Sequence, residues 1–200
     1  MEPAKALHTM TVEMTTGMLV LAALAVVVLT WLALSGRSQS RLAGTADAVA
    51  LWGAVIGTPM IALAILSGFR QWPFEAFMNS VIARNKIFTA LVALGFWAAF
   101  LCLRFAAGKR LWNDNVLAVF ALVLAAGGGA YLVFTASIGG TLAQKPSGFE
   151  ELARMVVETR RTFALSTAGA ISLIVVGVLA PIIALRLPRR KARPGAAGMP

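Results

Sequence analysis

The chain has 200 residues, 59% hydrophobic and 13% charged, with a formal net charge of +10. A soluble domain of this length cannot hide that much apolar surface. A basic excess placed between and after apolar runs meets lipid headgroups and sets orientation, so nucleic acid is not the expected partner.

Residues 1–11, MEPAKALHTMT, form a short polar lead. Glu2 and Glu13, and an apolar run too long for a signal-peptide h-region, predict that the first span is retained. Span one covers about 14–34, with Trp31 near its end as an interface anchor. A Ser/Gly/Arg-rich loop over 35–47 leads to span two, about 48–69. Gly53 and Gly57 give that span a small-residue face that admits another helix. Pro59 removes a backbone donor there and predicts a kink.

Phe74, Phe77, Met78, Val81 and Ile82 then follow helical spacing, which predicts an amphipathic interfacial turn or two. Span three covers about 87–103 and span four about 116–138, separated by a loop over 106–115. Gly127, Gly128 and Gly129 lie at the centre of span four. Each weakens an isolated helix by roughly 1 kcal/mol relative to Ala, so close packing against a neighbour is the expected compensation. The chain leaves span four through Gly139 and Gly140 into its longest charged loop, 139–162. There Ser147 and Glu150 match a capping box, and Phe149, Leu152, Met155 and Val156 make an apolar stripe on the helix that follows. Span five covers about 163–185, ahead of the lipid-binding cluster Arg186, Arg189, Arg190, Lys191 and Arg193.

The expected architecture is all-α: one polytopic integral membrane helix bundle over 1–187 and a basic tail over 188–200. It has five transmembrane helices, with amphipathic helices in the outer loops. Five spans place the termini on opposite sides. On the C-terminal side the basic residues stand in short loops and an acid-free tail, where the positive-inside rule acts most strongly. That puts the C-terminus in the cytoplasm and the N-terminus outside.

No Asp, Glu, Lys, Arg or His falls in the middle of any predicted span. Proton relays and ion sites need such groups. The only histidine is His8, so a bis-histidine haem site within the chain is excluded. His8, Met10 and Met14 form the one metal-like cluster, and thioethers with an imidazole suit Cu(I). The competing reading is that methionine fills packing gaps between helices. Cys102 cannot form a disulfide within the chain, and inside a span it reads as an inert packing thiol. No Cys-x-x-Cys, Walker loop or dinucleotide fingerprint occurs.

Leu7-His8 ahead of span one, and Gly139-Gly140 after span four, resemble a family of uncharacterised bacterial polytopic inner-membrane proteins, a domain of unknown function. Thr9 stands where that pattern has proline, and its further histidine near span three is missing. The resemblance implies a membrane location and no activity. The leading expectation is a non-catalytic accessory subunit of a larger bacterial inner-membrane complex, of respiratory, photosynthetic or oxygenase-like kind. Its partners are then membrane lipids and other integral membrane subunits. A copper-handling or assembly protein is the first alternative, and a transporter or pore for a small neutral compound the second.

Overall fold

The computed structural model describes residues 3–71 and 74–142, together with residue 175. The described residues form helices, turns and short connections, with no strand among them. Four helices are long and apolar enough to cross a membrane: Ala6–Leu34, Arg41–Arg70, Ile82–Trp112 and Asn115–Gly140. The capping box, the stripe from Phe149 to Val156 and the basic tail lie outside the described residues, as does the predicted fifth span apart from residue 175.

Helix α1 (Pro3–Leu34) includes the segment expected as a polar lead. Proline is tolerated at a helix start, where its missing N–H has no intrahelical acceptor. Three threonines satisfy their hydroxyls on their own helix: Thr11 on the His8 carbonyl, Thr15 on Thr11 and Thr16 on Val12. Gly36 ends the helix at φ 71°, a left-handed conformation that glycine adopts without Cβ strain. Its N–H donates to the Ala33 carbonyl and that of Arg37 to the Leu32 carbonyl, which completes a Schellman cap.

Helix α2 (Arg41–Gln71) begins earlier than the expected span, because the Ser40 hydroxyl caps it by accepting from the Ala43 N–H. The predicted loop of 35–47 therefore shrinks to a tight turn. Pro59 lies inside α2, and the chain remains helical on both sides of it. The expected amphipathic stripe is divided between two elements. Helix α3 (Phe74–Asn79) is short, and Ser80 caps a new helix, α4 (Val81–Ala107), through the Ala83 N–H. Val81 and Ile82 thus belong to the third long helix. A 3₁₀ segment (Gly108–Trp112) follows, and Asp114 then caps α5 (Asn115–Leu142) by accepting from Val116 and Leu117. Helix α5 continues through Gly139 and Gly140, where the sequence predicted an exit.

The long helices pack in a ring: α1 on α2, α2 on α4, α4 on α5, and α5 on α1. Its interior is apolar, with Leu19, Val26, Leu29, Val92, Trp97 and Phe100 fully buried. Close approach depends on glycine at two seams. On α2, a Cβ at Gly53 would stand 2.9 Å from the Met18 carbonyl oxygen of α1. On α5, a Cβ at Gly128 would stand 2.7 Å from the Trp97 indole nitrogen of α4. Gly57 meets Leu19 and Gly127 meets Phe96 in the same way, whereas the nearest atom to Gly129 is Ala23 Cβ at 3.9 Å. Gly53, Gly57, Gly127 and Gly128 thus lie where a neighbouring helix of the same chain leaves no room for a Cβ, and Gly129 does not.

Candidate functional site

Antiparallel neighbours bring the chemistry-bearing side chains to the two ends of the bundle. At one end Asp47 of α2 accepts two hydrogen bonds from Arg104 of α4, from Nε at 2.9 Å and from Nη2 at 2.6 Å. The Trp112 indole N–H donates to the same carboxylate at 2.7 Å. Arg104 and Trp112 are buried. The paired forks of guanidinium and carboxylate fix the geometry as well as the charge. Arg104 also stands in the last turn of α4, where a cation complements the helix dipole. Ser38 donates to the Asn113 side-chain oxygen at 2.9 Å, which ties the first turn to the second. Every ionised group in the Asp47 cluster is matched, so the cluster holds helices together and offers no open charge.

The opposite end carries a different set. His8 Nδ1 of α1 and Ser67 Oγ of α2 share a hydrogen bond of 2.9 Å, and the Ser67 hydroxyl is also 3.1 Å from the Ala64 carbonyl. Thr89 of α4 and Thr135 of α5 meet hydroxyl to hydroxyl at 2.9 Å. Lys86 lies half-buried on α4, with its ammonium over Gly139 of α5. A Cβ at that glycine would stand 3.1 Å from Nζ. His8 and Lys86 lie within electrostatic range of one another.

A serine hydroxyl 2.9 Å from an imidazole has the spacing of a nucleophile and its base. Such a pair also needs a group to orient the ring and donors for an oxyanion. Among the described residues no carboxylate bonds the His8 ring, and Ser67 is bound to its own helix. The pair reads as a link between α1 and α2.

The candidate copper ligands are not brought together. His8 is turned toward Ser67 on α2, while Met10 is 60% exposed and Met14 45% exposed. Rotation of about 100° per residue carries Met10 some 200° around the helix from His8. Among the described residues no group of three or more His, Cys, Asp or Glu converges on a point. Between the two ends the described residues place only uncharged polar atoms in the bundle. Thr58 Oγ1 and Trp97 Nε1 are buried there without a partner among the described residues.

The pairing of Asp47 with Arg104 was not legible in the sequence, where Asp47 ends the predicted loop of 35–47, Arg104 follows the predicted span of 87–103, and the two lie 57 residues apart. The available signal was Ser40, a helix cap that places Asp47 inside α2. Lys86 likewise carried no signal in the sequence. No family model, no curated protein and no solved structure matches the chain.

Proposed function

We propose that this protein is a non-catalytic accessory subunit of a larger complex in the bacterial inner membrane, with five spans, its N-terminus outside and its C-terminus in the cytoplasm. The observation that supports this reading is Trp52. It is 62% exposed on the outer face of α2, in line with Ile56, Leu63 and Leu66. Its neighbour Gly53 packs against Met18 and Ala22, near the middle of α1, so Trp52 stands near mid-depth. Tryptophan is favoured at the membrane interface, where its N–H meets headgroups and water. In the hydrocarbon that N–H has no acceptor, and an unmet donor costs free energy. The Trp52 N–H forms no hydrogen bond among the described residues. A helix of a second subunit lying on this stripe supplies both an acceptor and close packing, and tryptophan is the residue type most favoured as an interface anchor. The lack of ionisable groups between the two polar ends supports a binding role over proton or ion handling.

The test is a photo-crosslinking residue at position 52, activated in native membranes before mild-detergent purification and mass spectrometry. A cross-link to a distinct polypeptide that also co-purifies in fixed ratio is expected, and Trp52→Ala should reduce that co-purification severalfold. Cross-links only to lipid, or only to residues 163–185 of the same chain, would overturn the reading.

A further inference from the structure

We propose that the outer face of α1 is a docking surface for this chain's own segment 163–185, fixed by an ion pair of Glu13 with Arg160 or Arg161. The proposal rests on the five-span reading and not on the Trp52 face. Leu7, Met10, Met14, Gly17, Leu21 and Leu24 recur at alternating steps of three and four residues, and all are exposed. That is the spacing of a seam along which a second helix lies. Helix α1 meets α2 and α5 through other positions, with Ala22 toward Gly53 and Ala23 toward Gly129. A Cβ at Gly17 would meet nothing within 4 Å.

Apolar exposure alone would suit acyl chains, but Glu13 does not suit them. It neighbours the seam, three residues after Met10 and four before Gly17. Helix α1 begins at Pro3, so Glu13 lies beyond the first turn, where the helix dipole would favour an acid. It stands about 10 Å past Ala6, where the apolar segment of α1 begins. An ionised side chain within such a segment ordinarily faces the bundle interior or an opposite charge. Glu13 is exposed and forms no ion pair among the described residues.

The path of the chain selects the occupant. Thr30 lies by Ala118 and Ala23 by Gly129, so α1 and α5 are antiparallel. Helix α5 therefore ends, at Leu142, at the end of the bundle from which α1 starts. A further crossing begins there and runs parallel to α1. Residues 143–162 reach about 60 Å when extended, and α1 is a direct neighbour of α5. Segment 163–185 carries no charged side chain, and Arg160 and Arg161 stand just ahead of it. Opposite charges thus head two parallel apolar segments, and an arginine fork suits a carboxylate. Glu75, the other exposed acid at this end among the described residues, lies on the short α3, which is no candidate to cross a membrane. Met10 and Met14 then serve as adaptable packing in the seam.

The test uses the full-length chain in its native membranes, with Cys102→Ala so that every thiol is an introduced one. Met14→Cys is paired in turn with Phe163→Cys, Ala164→Cys, Leu165→Cys and Ser166→Cys, which together cover a helical turn. Oxidation is expected to give a within-chain disulfide in at least one pair, identified by mass spectrometry of the monomer. Leu63→Cys, exposed on α2, is expected to give none with the same four. Glu13→Arg should lower the yield severalfold, and adding Arg160→Glu with Arg161→Glu should restore it. Should Glu13→Arg fail to insert, Glu13→Gln should still lower the yield. No link from position 14, links only between two copies, equal yield from position 63, or a yield indifferent to the Glu13 charge would overturn the proposal. Gly195→Cys, treated with a membrane-impermeant maleimide, separates the two readings. Labelling from the outside would overturn the five spans and this proposal with them, whereas cytoplasmic labelling without a link from position 14 would overturn the docking alone.

Discussion

The two ends of this bundle solve the same problem in different ways. Each must finish four antiparallel helices where hydrocarbon gives way to water. The Asp47 end uses a matched ion pair reinforced by an indole N–H, and links α2, α4 and the 3₁₀ segment in one cluster. The His8 end uses neutral hydrogen bonds, one between α1 and α2 and one between α4 and α5, and Lys86 there forms no ion pair among the described residues. Satisfied charge makes a lock that is costly to break at one member. Neutral pairs contribute little each, because an unfolded chain in the membrane also finds partners for its hydroxyls. The first end is therefore expected to contribute more to holding the fold than the second.

The sharpest way to break this contrast is Asp47→Ala. It strands the Arg104 charge in a buried position and is expected to cost about 3 kcal/mol, read as a lower unfolding midpoint in detergent. Replacing Asp47 and Arg104 together with leucine should restore most of that loss, because no charge is then left behind. If the single variant is as stable as wild type, the lock is not one.

The glycine triplet tests the seam between the two ends. Gly128→Ala drives a Cβ against a fully buried indole and is expected to cost about 1–3 kcal/mol. Gly129→Ala meets nothing closer than 3.9 Å and should be neutral, or stabilise by up to about 1 kcal/mol through helix propensity. Equal effects at the two positions would contradict the packing of Trp97 on α5. The smallest change is expected at the His8 end. Ser67→Ala removes one hydrogen-bonding hydroxyl and should cost about 0.5–1 kcal/mol in the same unfolding measurement. A loss as large as that of Asp47→Ala would erase the distinction between the ends.

Much of the bundle was legible in the chain. Long apolar runs, glycine faces and the charges between runs identify the first four spans, and Gly53 and Gly128 do lie at helix seams. The limits of the spans were less legible. Polar residues near a helix end read as loop by hydropathy, yet a single serine cap at Ser40 or Ser80 extends the helix past them. The candidate site was least legible. Lys86 is one basic residue among many in the sequence, and its position over Gly139 requires α4 and α5 to be packed side by side.

By itself the sequence determined that the chain is apolar, helical and free of ionisable groups at mid-span, because hydropathy and period are local properties of consecutive residues. Which glycine receives which side chain, and which carboxylate neutralises which guanidinium, were decided only by the tertiary structure. Those outcomes depend on the rotation and register of one helix against another. Small differences in packing at Gly53 and Gly128 set them, over sequence separations that no local pattern spans.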